Sequence, residues 1–250
     1  MTVITESTST SEVYLSRVQE VLAEAAQAEL PAVLRAAKTV ADTFDRDGIL
    51  YVFGSGHSHV FAEEAFYRAG GSARISPILQ DDYMLHVSAQ RSTELERQEG
   101  HAEDILGHYP IRSGVDAMLV VSNSGSNALP IEVALAAKRR DLPVIAITSV
   151  AYARSTSAPG RRLHDVADIV LDNHCPPGDA LVSIAPGLPK AGPGSSAVGI
   201  ALLNAVIVEA LALQSEGGAQ PDIYLSAGMP GAAEHNRALA DRFRDRIPHI

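Results

Sequence analysis

Three runs of consecutive apolar residues constrain this chain most: Ile49–Phe53 (ILYVF), Ala117–Ser122 (AMLVVS) and Val144–Thr148 (VIAIT). Each is too short to be a core helix. The first two exit directly into loops rich in glycine, serine and asparagine. Unbroken apolar runs of this length suit strands covered on both faces, which is the condition of a parallel sheet. Ala73–Leu79 and Asp168–Asp172 add two weaker strand candidates. Helical patterns over 57–69, 93–108, Leu129–Arg140 and Ser195–Gln214 alternate with these strands. The alternation predicts an α/β fold: a three-layer sandwich around a mostly parallel, doubly wound sheet of about five strands. In such a sheet a ligand belongs at the carboxyl ends of the strands.

The flanks complete the predicted organisation. Apolar residues at helical spacing (Val13, Val18, Val21 and Leu22, then Val33, Leu34, Ala37 and Val40) predict helices over 11–29 and 31–46, with Pro31 opening the second. Residues 1–46 thus read as an N-terminal helical extension, 47–215 as the α/β domain, and 216–250 as a tail ending in a helix near 231–246. Residues 80–92 read as irregular or weakly helical, and 173–194 as a long loop rich in proline and glycine, of the kind that often carries function.

Charge and composition exclude several classes of partner. The formal net charge is -10, with no basic cluster to neutralise a nucleic-acid backbone, so no nucleic-acid partner is expected. No run of roughly 18 apolar residues is present, so no membrane partner is expected either. The polar, acidic start MTVITESTSTSE lacks the basic and apolar regions of a signal peptide. The single cysteine, Cys175, permits no internal disulfide and fits a reducing cytoplasm. Nine histidines fall at no metal-ligating spacing, and no metal or cofactor is expected.

Two loops carry the chemistry. Gly54-Ser55-Gly56-His57-Ser58 stands between a strand and a helix, where glycine lets the backbone approach an anion and a helix N-terminus favours negative charge. It is not a dinucleotide fingerprint, because His59 stands where the third glycine belongs and no carboxylate closes the next strand. Ser122-Asn123-Ser124-Gly125-Ser126-Asn127 follows a second strand and packs three hydroxyls and two amides into six residues. Ser122 stands where a nucleophile elbow needs its first glycine. Uncharged donors at this density suit phosphate oxygens.

These loops, with PVIAITS at 143–149 and GSSAVGIALLNAVIVEA at 194–210, resemble the SIS (sugar isomerase) domain family over roughly residues 35–215. There is partial resemblance to sedoheptulose-7-phosphate isomerase and to N-acetylmuramic acid 6-phosphate etherase. The resemblance implies that Ser122, Asn123, Ser124 and Asn127 hold a phosphate, although the family usually has Ser or Thr where Asn127 stands. By the same resemblance Gly54, Ser55, Gly56, His57 and Ser58 line the sugar, and Ser195 and Ser196 correspond to a Gly-Ser-Ser loop of the etherase. It also implies a sugar phosphate as partner, and sites that form between subunits. Together with the strongly apolar 195–214 segment, that gives an expectation of a homodimer or homotetramer.

Chemistry at carbon 2 of a sugar phosphate needs a base for the C–H proton and donors for the enolate oxygen. The family often places a glutamate where Arg68 stands here. Glu64, one turn earlier, is the substitute candidate, or else a partner for Arg68. Glu99-Gly100-His101-Ala102-Glu103-Asp104 resembles a stretch of the etherase. On one helix Glu99 and Glu103 would share a face, and neighbouring carboxylates raise each other's pKa. Glu99, Glu103, His101 and Glu64 are therefore the catalytic candidates, although a solvated charged face would look the same. His174, at the end of a strand, is a further candidate for sugar contact. The expected activity is proton abstraction at carbon 2 of a hexose or (N-acetyl)amino-hexose 6-phosphate, leading to isomerisation or to β-elimination. The alternative is a phosphosugar sensor or adaptor without catalysis.

Overall fold

A computed structural model describes residues 9–250. The acidic start of the chain, residues 1–8, lies outside the described residues. In chain order the elements are α1 (Thr10–Ala28), α2 (Leu30–Asp45), β1 (Leu50–Gly54), a 3-10 turn (Gly56–His59), α3 (Val60–Ala65), β2 (Ile75–Ile78) and a second 3-10 turn (Asp81–Tyr83). Next come α4 (Leu85–Leu95), α5 (Ala102–Gly107), β3 (Ala117–Val121), α6 (Ala128–Arg139), β4 (Val144–Thr148), α7 (Val150–Ser155), α8 (Leu163–Val166) and β5 (Ile169–Asp172). The chain closes with β6 (Ala180–Val182), β7 (Ala191–Pro193), α9 (Ser195–Glu216) and α10 (Ala232–Phe243).

Every apolar run named above forms a strand of one parallel sheet, in the order β2-β1-β3-β4-β5. Alternate side chains enter two separate cores, as the two-residue period of a strand requires. Leu50, Val52, Leu119, Val121 and Ile147 pack with α1, α2, α3 and α9 on one face. Tyr51, Phe53, Met118, Val120 and Ala146 pack with α5, α6, α8 and α10 on the other. This is the expected three-layer sandwich.

The structure corrects three local expectations. The helix predicted over 57–69 stops at Ala65, where Phe66 turns extended. The chain is drawn away because Gly70 and Ala73 donate backbone hydrogen bonds to Tyr224 and Asp222 (2.8 and 2.7 Å). The helix predicted over 93–108 is two elements, because the Glu132 carboxylate of α6 accepts the backbone N–H groups of Gly100, His101 and Ala102 and starts a new helix there. The long loop 173–194 contains the antiparallel pair β6–β7, braced by the Tyr14 hydroxyl of α1 donating to the Pro193 carbonyl (2.9 Å).

Candidate functional site

The strand order reverses between β1 and β3. The helix after β1 packs on one face of the sheet and the helix after β3 on the other. The two exit loops therefore part and leave a crevice at adjacent strand ends, the switch point at which doubly wound sheets bind ligands. A cleft of about 440 Å³ opens there. Ser55, His57 and Ser58 of the first loop line it together with Ser122, Asn123, Ser124 and Asn127 of the second. Gly54 shapes the first turn, since a Cβ there would stand 2.2 Å from the Ser58 carbonyl oxygen. Gly56 opens the 3-10 turn that follows.

The serine-rich loop is held in shape by its own buried groups. Both the hydroxyl and the carbonyl of buried Ser122 accept from the Gly125 N–H (3.2 and 3.1 Å). Gly125 has a φ of +56°, and a Cβ there would stand 2.7 Å from the Thr148 hydroxyl, so only glycine fits. The Asn123 carbonyl accepts from the Ser149 N–H (3.1 Å), and its side-chain oxygen from the Asn173 amide (2.9 Å). With the loop tied to β4 and β5 in this way, the N–H groups of Ser124, Ser126 and Asn127 find no acceptor among the described residues. They lead directly into α6, whose cap Asn127 makes no side-chain capping bond. Free amides beside a helix N-terminus form a seat for an anion.

Glu96, a residue to which the sequence assigned no role, is the carboxylate beside this seat. Its backbone carbonyl accepts from the Leu129 N–H at the start of α6 (3.1 Å), which fixes it to the same helix terminus. Its side chain accepts from the Ser55 hydroxyl (3.2 Å), so it bridges the two loops. Partial burial pushes its pKa above the ordinary carboxylate value, against opposing contributions from Ser55, Arg97 and Asn127. Asp179, also unassigned from sequence, lines the cleft. Its carboxylate accepts from the N–H groups of Gly194 and Ser195 and from the Ser195 hydroxyl (3.1, 2.8 and 2.7 Å) and so caps α9. A second cavity of about 220 Å³ adjoins through His57, Ser58, Asn123 and Asp179, and Ser195 and Ser196 lie in its wall.

The four proposed catalytic residues do not converge on the cleft. Glu103 is exposed and ion-paired with Arg139 and Arg140 (2.7 and 2.5 Å), whose hydrogen bonds hold its pKa down to about 2, the opposite of what an acid–base group needs. His101 reaches Gln98 (3.4 Å) and stands edge-on to Tyr83. Glu64 is engaged by Arg68, the pairing that their spacing suggested. Glu99 lines a neighbouring cavity rather than this one. The break between α4 and α5 removes the shared helical face on which Glu99 and Glu103 were expected. His174 turns away from the cleft to Glu24 and Glu29 of the N-terminal helices (3.3 and 3.1 Å). Among the described residues no three His, Cys, Asp or Glu side chains gather closely enough to share a metal ion.

Comparison with known proteins gives consistent results. The model of the SIS domain matches residues 13–149, more than half of the chain. A UPF0309 protein of Geobacillus kaustophilus is 41% identical over 238 residues, 94% of each chain. One of Brucella canis is 48% identical over 217 residues, covering 86% of this chain and 88% of the relative. Among solved structures, the phosphoheptose isomerase GmhA from Neisseria gonorrhoeae superposes with a TM-score of 0.51 at 18% identity, covering 81% of this chain and 95% of that one. A phosphoheptose isomerase from Francisella tularensis superposes with a TM-score of 0.50 at 17% identity, covering 79% and 94%. At such identity the likeness is one of fold.

Proposed function

Because the chain belongs to the SIS-domain family, together with its UPF0309 relatives, we propose that it binds a hexose or (N-acetyl)amino-hexose 6-phosphate in the 440 Å³ cleft and removes the carbon-2 proton with Glu96. The observation that carries this reading is a partly buried carboxylate of raised pKa, hydrogen-bonded to one loop and anchored to the helix terminus of the other. The phosphate sits on the free amides of Ser124, Ser126 and Asn127, where the α6 dipole adds to their pull. The sugar then lies against Ser55, His57 and Ser58, between the phosphate seat and Glu96.

In the open-chain sugar the carbon-2 proton is acidified by the adjacent carbonyl. Glu96 accepts it, and uncharged donors of the two loops hold the enolate oxygen. Return of the proton to carbon 1 completes an isomerisation, in keeping with the phosphoheptose isomerases that share the fold. Departure of the carbon-3 substituent, protonated by Glu96 and released as water or an alcohol, completes a β-elimination and restores the carboxylate. Assembly as a homodimer fits this reading, since α9 buries one face and leaves Ala197, Ala205, Val208 and Ala212 exposed elsewhere on the helix.

The test is a panel of sugar 6-phosphates incubated in deuterated water and followed by NMR. Deuterium entering at carbon 1 or carbon 2, or loss of the carbon-3 substituent, identifies substrate and outcome together. Saturable binding with no exchange on any sugar would instead make the protein a sensor.

A further inference from the structure

The phosphate-binding cleft continues into a larger one. A cavity of about 650 Å³ shares Arg97, Ser126 and Asn127 with it and extends beneath the 158–161 loop. Two arginines, Arg97 and Arg161, line this extension, and among the described residues neither forms a salt bridge. Unpaired cations are unexpected here, because the chain carries 30 acidic residues against 20 basic ones.

Arg161 is presented by a purpose-built loop. The neighbouring Arg162 donates to the backbone carbonyls of Ala153, Thr156, Ala158 and Gly160 (2.9, 3.2, 2.6 and 3.1 Å). That guanidinium staples residues 153–162 into one turn, and Arg161 stands on its exposed side at the cavity rim. Two carboxylates also line the cavity. Glu132 has its oxygens occupied by the N–H groups of Gly100, His101 and Ala102, which leaves Glu99 as the uncommitted one. Two free guanidiniums near the amino end of α6 outweigh it, and the extension favours an anion.

We propose that Arg97 and Arg161 form a second anion subsite, and that the ligand is a phosphosugar bearing a second acidic group, a phosphate or a carboxylate, remote from the first. This rests on the phosphosugar reading above and narrows its substrate class. The first anion takes the amide seat of the serine-rich loop. The second takes the guanidiniums, which offer paired donors to either kind of oxyanion.

Calorimetric titration of the full chain tests this with three ligands: a hexose 6-phosphate, the corresponding 1,6-bisphosphate, and a 6-phosphosugar carrying a carboxylate. The wild type should bind at least one dianionic ligand about tenfold or more tightly than the monophosphate, the scale of one charge-assisted contact. The arm that shows the gain identifies the second group. Arg161→Ala should abolish the gain and leave monophosphate affinity unchanged, and Arg161→Lys should restore part of it. Equal binding of all three ligands, or a gain that survives Arg161→Ala, overturns the second subsite and leaves the phosphosugar reading standing. Absence of binding by every ligand overturns both.

Discussion

Replacing Glu96 by glutamine separates the proposed chemistry from binding. The amide oxygen can still accept from the Ser55 hydroxyl, which now spans 3.2 Å to the carboxylate, and the Leu129 N–H bond to the backbone is untouched. Only the capacity to take a proton is lost. A positioned general base contributes about 10²–10⁴ in rate, so turnover should fall by that factor, or roughly 2.7–5.5 kcal/mol of transition-state stabilisation. Phosphosugar affinity should stay within about threefold, well under 1 kcal/mol. Stability should move the other way. The folded-state pKa of Glu96 is raised by burial, so its contribution to stability is present below the unfolded value and lost as pH rises through the folded one. At neutral pH the charged carboxylate therefore costs stability, and Glu96→Gln should melt at or above the wild-type temperature. The assays are deuterium wash-in at carbon 2, calorimetric titration and thermal melting. Exchange by the variant within tenfold of wild type would refute Glu96 as the base. In the wild type, the rate should rise with pH through a pKa above the ordinary carboxylate value, following ionisation of this residue.

Gly125→Ala forces a non-glycine residue into the left-handed region at a φ of +56° with its Cβ 2.7 Å from the Thr148 hydroxyl. It should cost about 1–2 kcal/mol or more and weaken phosphosugar binding, both read from melting with and without ligand. Arg74 is buried, pairs with Asp222 and Asp47 (2.8 and 2.9 Å), and stands over the Phe243 ring. Asp222 keeps Arg242 (2.8 Å) and Asp47 is exposed, so Arg74→Ala should destabilise by about 1–3 kcal/mol in denaturant unfolding and leave binding at the distant cleft intact. His174 is raised above its ordinary 6.5: burial alone would lower it, but the Glu29 hydrogen bond and the charges of Asp172, Glu29 and Glu24 together outweigh that. Its stabilising contribution is complete below 6.5 and is lost as pH rises through the folded value. The melting-temperature gap between wild type and His174→Ala should accordingly be wide at acid pH and close under alkaline conditions.

The sheet was legible because its determinants are local. Each of Ile49–Phe53, Ala117–Val121 and Val144–Thr148 is apolar at every position or nearly so, and both faces of each strand are indeed covered. The proposed anion seat was legible for a similar reason, since its loop is contiguous in sequence. The proposed base was not. Glu96 reaches the cleft through contacts with Ser55 and Leu129, which are 41 and 33 positions away. Nothing in the charged stretch 94–104 separates it from Glu94, Glu99 or Glu103. The helix expected to align Glu99 with Glu103 is interrupted by Glu132, a residue about 30 positions downstream. Asp179 was hidden in the same way, inside a loop whose short strands show no alternation.

The most direct measurement is a crystal structure with a bound phosphosugar. The phosphorus should lie against the amides of Ser124, Ser126 and Asn127, with the sugar between Ser55 and His57 and its carbon 2 facing the Glu96 carboxylate. A phosphate seated elsewhere, or a sugar whose carbon 2 points away from Glu96, would contradict the account.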